Sequence, residues 1–146
     1  MKISTKGRYA IRLMIDIAEH SDGGNISIKD VAQRQNISLK YLEQIVNMLN
    51  KAGYLKSQRG SQGGYKMARS PEEYTVGDIL RVTEGELAPV ACLEDEPNRC
   101  PRVESCPTVS FWAGLYKIIN DYLDGTTIAD LVREEEKLNN DYGYYI

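Results

Sequence analysis

Helical apolar spacing from residue 5 to residue 52, a Gly-rich hairpin signal just after it, and a long, broadly apolar helix near the C-terminal end predict the fold class. It is mainly α with a small β-hairpin wing: a winged helix-turn-helix plus a long dimerisation helix. From Thr5 to Ala18 the apolar positions Tyr9, Ala10, Leu13, Ile17 and Ala18 recur at helical spacing, and Asp22-Gly23-Gly24 ends the run. A short helix follows from about Ile28 to Arg34, with Ser27 at the N-cap and Asp30 three residues later in a capping-box-like pair. After Gln35-Asn36-Ile37, Ser38 caps a third helix that reaches about Ala52. Its inward stripe is Leu42, Ile45, Val46 and Leu49, and Gly53 stands where a left-handed residue is favoured. Two helices joined by so short a turn make a helix-turn-helix.

Tyr54 to Gln58 and Tyr65 to Arg69 read as two strands around the turn Arg59 to Gly64. Thr75 to Glu84 reads as a fourth helix stopped by Gly85. Residues 86–107 then hold four of the five prolines and all three cysteines, with no periodicity. A loop of that length is usually functional or disordered. With Pro107 as first helical residue, a helix to Leu123 carries Val109, Phe111, Trp112, Leu115, Tyr116, Ile118, Ile119, Tyr122 and Leu123. That is more circumference than one small domain can cover, so a subunit interface is expected. Thr127 caps a last helix through Glu136, and the aromatic tail to Ile146 is expected to pack. The boundaries drawn are 1–69 for a DNA-binding domain and 70–146 for a dimerisation and cysteine-loop region.

Composition supports the division. The chain has 146 residues and a net charge of −3, but the average hides an asymmetry. Residues 1–69 hold 12 Lys/Arg and 5 Asp/Glu; residues 70–146 hold 6 and 16. The basic half suits a polyanion, because each phosphate it neutralises releases counterions. No apolar run approaches the ~18 residues of a membrane span, and no secretion signal opens the chain, so a cytoplasmic location is expected. One histidine, no nucleophile–base pattern and no phosphate loop leave little for catalysis, and the chain is not expected to be an enzyme.

The candidate DNA-reading residues lie off the apolar stripe of the third helix. Gln44 is suited to adenine and Glu43 to a cytosine amino group, while Ser38, Lys40 and Tyr41 suit phosphates or the groove edge. Arg59, held among glycines at the hairpin tip, suits a narrow minor groove. One such module makes few base contacts; a two-fold dimer doubles them and predicts a palindromic operator on double-stranded DNA.

Cys92, Cys100 and Cys106 are spaced C-x7-C-x5-C. Three is odd and the compartment reducing, so a disulfide framework is not expected. Three thiols in one loop leave three readings open: a soft-metal or cluster site, redox-active thiols, or no special role. If Pro107 begins the helix, Cys106 sits at its N-terminus, where the dipole favours a thiolate.

Three stretches, MKISTKGRYA, ISLKYLEQIVNMLNKAGYLKSQRGSQGGY and TVGDILRVTEG, resemble the Rrf2 family of bacterial winged-helix regulators over nearly the whole chain. The three-cysteine loop ahead of a helix with Trp112 resembles the IscR-like, cluster-binding branch. That resemblance implies a homodimer crossed by the long helix, and an iron–sulfur cluster, [2Fe–2S] or [4Fe–4S], held as metal ligands by Cys92, Cys100 and Cys106. It implies repression of cluster-assembly or stress genes, and recognition residues at Ser38, Lys40, Tyr41, Glu43, Gln44 and Arg59. The sequence departs from that branch: Val109 stands where it has a ligating histidine, Arg8 where a relative has an aspartate, and the first cysteine spacing is two residues longer. Glu94, Asp95, Glu96 and Glu104 are the nearby carboxylates for a fourth ligand. The start, Leu93 to Glu96 and the Tyr-Tyr-Ile ending resemble a CymR-like branch, which lacks the cysteine cluster and implies cysteine synthase as partner.

Overall fold

A computed structural model describes residues 1–143. Six helices and one hairpin run in the order α1 (Thr5–His20), α2 (Ile28–Gln35), α3 (Leu39–Lys51), β1 (Leu55–Gln58), β2 (Gly64–Met67), α4 (Val76–Glu84), α5 (Val109–Gly125) and α6 (Ile128–Gly143). Single 3-10 turns occupy Pro71–Glu73 and Ala91–Leu93. The expected order of elements is the observed one. The tail residues Tyr144, Tyr145 and Ile146, expected to pack, lie outside the described residues.

α1 is the central pillar. Its stripe Ala10, Leu13, Met14 and Ile17 is fully buried and meets Val31 of α2, Leu42, Ile45, Val46 and Leu49 of α3, and Leu55 of β1. Burying a side chain of this size stabilises by about 1.5–3 kcal/mol, so this stripe fixes where α2 and α3 sit. The same core also contains Tyr74, Ile79 of α4 and Ile128 of α6. The packing therefore crosses the 69/70 boundary: α4 and the start of α6 complete the N-terminal core, and α5 is the element that stands off it.

Close approach explains the α1–α4 contact. A Cβ on Gly7 would lie 2.3 Å from Glu84 Oε1. The same oxygen accepts from the Ser4 backbone N–H at 3.0 Å, at the N-terminal end of α1. A carboxylate there faces the positive end of the helix dipole.

Reciprocal caps start α4 and α6. Thr75 accepts from Asp78 N at 3.0 Å and donates its own N–H to Asp78 Oδ2 at 3.0 Å. Thr127 accepts from Asp130 N at 3.0 Å and donates its own N–H to Asp130 Oδ2 at 2.9 Å. The two helix starts are stitched by Val76 N to Thr126 O (2.8 Å) and Ile128 N to Tyr74 O (2.9 Å).

Three sequence expectations need correction. Ser27 makes no side-chain cap; its carbonyl accepts from Asp30 and Val31 instead. α6 continues beyond Glu136 to Gly143; residues 137–141 are solvent-facing and leave no apolar periodicity to read. α5 begins at Val109, with Thr108 as N-cap, so Pro107 is not helical and Cys106 is not a helix N-terminal residue.

α5 buries none of its residues fully within the chain. Trp112, Tyr116 and Leu123 are half-buried, while Phe111, Ile118 and Tyr122 are 65%, 67% and 76% exposed. Arg81 anchors it, with bonds to Asp124 at 2.7 and 3.0 Å and to Asn120 at 2.9 Å.

Candidate nucleic-acid interface

The helix-turn-helix is built from α2, a three-residue turn and α3. Asn36 takes the left-handed conformation (φ 54°, ψ 49°), a role that asparagine fills at lower cost than most residues. Ile37 then drops into the core at 8% exposure and donates to Ala32 O at 3.1 Å. Ser38 Oγ accepts the Tyr41 N–H at 3.1 Å and starts α3.

α2 is bolted to α1 by a buried carboxylate. Asp16 is fully buried. Arg34 grips it through Nε at 3.2 and 3.1 Å and through a terminal nitrogen at 2.7 Å. Gln35 donates a further bond at 2.9 Å. Arg12 donates to Gln35 Oε1 at 3.1 Å and lies over the Tyr9 ring. The Asp16 hydrogen bond holds the Arg34 guanidinium pKa above its ordinary value. The sequence pattern carried no signal for this network, since Asp16 sits at a core position of an otherwise apolar stripe.

With α3 seated by Leu42, Ile45, Val46 and Leu49, its other face is exposed. Ser38, Lys40, Glu43 and Gln44 are all solvent-facing. Tyr41 is half-buried, its ring edge-on to Tyr9 at 5.8 Å. Glu43 and Asn47 line a cleft of about 310 Å³ with Ile28, Val46 and Tyr65. Tyr65 and the cleft it closes were not found by sequence reasoning.

The hairpin pairs antiparallel, Leu55 opposite Met67 and Gln58 opposite Gly64. Ile26 joins as a third, isolated rung, exchanging bonds with Tyr65 at 2.7 and 2.8 Å. Gly64, at φ 140°, must be glycine here: a Cβ would come within 2.4 Å of Ile26 O. Asn25 Nδ2 donates to Gln58 Oε1 at 2.7 Å and to Gln62 O at 3.2 Å, tying the hairpin to the chain ahead of α2. Arg59 is exposed at the tip, next to Gly60 at φ 106°.

The cysteine loop differs from the expected metal site. Cys92, Cys100 and Cys106 are free and half-buried, and among the described residues no three His, Cys, Asp or Glu side chains lie together as metal ligands. Each cysteine belongs to a separate local turn. Cys92 lies in the 3-10 turn. The Cys100 N–H donates to Asn98 Oδ1 at 2.8 Å while its carbonyl accepts from Val103. Cys106 Sγ pairs with Thr108 Oγ1 at 3.4 Å. The Thr108 side-chain contact, with its backbone N–H, pulls the Cys106 thiol below the ordinary thiol range. The residues as arranged do not fit a cluster. His20 is exposed, and its ring Nδ1 lies 2.9 Å from the Asp16 carbonyl oxygen.

A buried helix-turn-helix followed by an antiparallel hairpin defines a winged-helix protein. The chain belongs to the Rrf2 family: that family's profile, described as an iron-dependent transcriptional regulator, matches residues 3–134. Protein rrf2 of Nitratidesulfovibrio vulgaris is 44% identical over 134 residues, 92% of this chain and 89% of that one. The regulator CymR of Bacillus subtilis is 40% identical over 146 residues, all of both chains. The solved structure of T. potens IscR has a TM-score of 0.75 at 40% identity, covering 94% of this chain and 90% of that one. The protein is a DNA-binding transcriptional regulator of this family, and not an enzyme. No helix among the described residues is long and apolar enough to cross a membrane.

Proposed function

We propose that the chain is a homodimeric repressor that reads a palindromic operator in the cytoplasm, with α3 in the major groove and Arg59 in the flanking minor groove. One observation carries the reading: Ser38, Lys40, Glu43 and Gln44 all face solvent from a helix whose opposite face is locked into the core. Glu43 and Gln44 are the base readers; Ser38, Lys40 and Tyr41 hold the backbone. A second copy covers Phe111, Ile118 and Tyr122 on α5, since exposed apolar surface of that kind marks an association site. Half-sites then fall one or two helical turns apart. In this reading residues 1–69 supply the DNA contacts and residues 70–146 the pairing and the input.

For the input, two readings each rest on an observation. Three thiols within one proline-rich loop form a donor set suited to an iron–sulfur cluster, with Cys92, Cys100 and Cys106 as its ligands after the loop rearranges; the fourth ligand stays unassigned. The other reading, control by a protein partner such as cysteine synthase, is what the CymR-like stretches imply, and the chain is similar to CymR over its full length. Anaerobic purification with iron and sulfide counts, followed by operator binding of C92A, C100A and C106A, separates them. Stoichiometric iron and sulfide with altered binding supports the cluster. An iron-free dimer whose binding ignores all three substitutions rejects it.

A further inference from the structure

A cavity of about 300 Å³ lies between the C-terminal end of α1 and the hairpin, lined among others by Ala18, Ser21, Lys56, Lys66, Arg69 and Pro71. Lys56 and Lys66 are directly opposite in the strand register. Like charges so placed repel and cost stability. Among the described residues, neither lysine nor Arg69 forms an ion pair with a carboxylate. Arg69 is held instead by aromatic faces, its guanidinium carbon 4.7 Å from the Tyr74 ring and 5.8 Å from the Tyr54 ring. Of the acidic residues close in sequence to the lining, Glu73 Oε2 accepts from Ser70 N and Oγ at 2.9 and 3.0 Å, and Glu19, Asp22 and Glu72 form no ion pair with the three cations. The carbonyl end of α1 adds about half a negative charge, and Glu19, Asp22 and Glu72 flank the lining residues without lining the cavity themselves, where three full positive charges meet.

The cavity is also on the wrong side of the hairpin for the major groove. Side chains alternate across a strand. Tyr65 closes the cleft beside Glu43 and Asn47, so its neighbour Lys66, and Lys56 opposite it, face the other way.

We propose that this cavity binds a small free oxyanion carrying phosphate-type oxygens, gripped by Lys56, Lys66 and Arg69. Its volume sits at the lower end of small-molecule sites, which limits the ligand to a compact anion. An occupant there would bridge α1 to the back of the hairpin that carries Arg59. The binding step itself does not depend on the operator reading and is tested without DNA.

The probe is sodium pyrophosphate, titrated calorimetrically into the DNA-free full chain at fixed ionic strength. K56Q/K66Q is compared with K29Q/K137Q, which removes the same charge elsewhere. The expected result is binding to wild type and to the control, with at least about a tenfold loss in K56Q/K66Q, since each hydrogen bond to a charged group is worth roughly that much. Absence of heat in wild type, or equal affinity in both variants, overturns the proposal. A second arm separates free anion from DNA phosphate. If the lysines instead touch the duplex backbone, K56Q/K66Q will lower the slope of log affinity against log salt by about two relative to the control. That result also overturns the proposal, whereas slopes equal in the two variants support it.

Discussion

Replacing Arg34 by methionine tests how the reading helix is aimed. The change removes three guanidinium bonds of 3.2, 3.1 and 2.7 Å from Asp16 and keeps the aliphatic stem. Asp16 stays fully buried with Gln35 as its remaining strong donor. Stranding a buried charge usually costs about 3–5 kcal/mol. Arg34 is 34% exposed, so water already screens the pair and the expected loss is reduced to about 2–4 kcal/mol. Asp16→Asn should cost less than Arg34→Met, because it leaves a neutral amide inside and a cation that can reach water. The double variant D16L/R34M should recover most of the loss, since neither charge is then left alone. Urea denaturation at one fixed protein concentration, required for an oligomer, reads all three. An Arg34→Met loss under about 1 kcal/mol, or a double variant as damaged as the sum of its parts, would refute the assignment of Asp16 as the bolt between α1 and α2.

Other outcomes follow from the same geometry. Phe111→Asp with Ile118→Asp should convert the protein to a monomer in sedimentation and weaken operator binding by well over tenfold, without melting the N-terminal core. Iodoacetamide should alkylate Cys106 with a pH midpoint below the ordinary thiol value of about 8.5, and Thr108→Val should raise that midpoint, since Thr108 is the first cause of the lowered pKa. Asp130 and Glu73 have lowered pKa values, from the backbone N–H groups of Thr127 and Ser70 respectively. Their unfolded forms bind protons first, so their stabilisation is present above about pH 4 and is lost as pH falls through the folded values. Acid denaturation curves of D130N and E73Q should be flatter in that window than wild type.

Much of this fold is readable because helices that bury one face must repeat every 3.6 residues. The stripes of α1 and α3, the Ser38 and Thr127 caps and the left-handed Gly53 all follow local rules. What escaped depends on contacts far apart in sequence. Asp16 meeting Arg34, Asn25 reaching Gln58 and Gln62, and Ile79 and Ile128 completing a core begun at Ala10 leave no periodic trace. The exposed residues of α3 were readable as those left outside its stripe. The disposition of the cysteines was not, because turns and prolines between residues 86 and 108 set it, and those obey no repeat.

The central claim, that α3 and the hairpin tip read the duplex, is tested most directly by selecting bound sequences from a random duplex library. Wild type should select a palindrome. E43A/Q44A should bind with a relaxed or altered preference at the major-groove positions, and R59A should lose preference only in the flanking minor groove. Identical consensus sequences from wild type and all the variants, or no palindrome in wild type, would contradict the account.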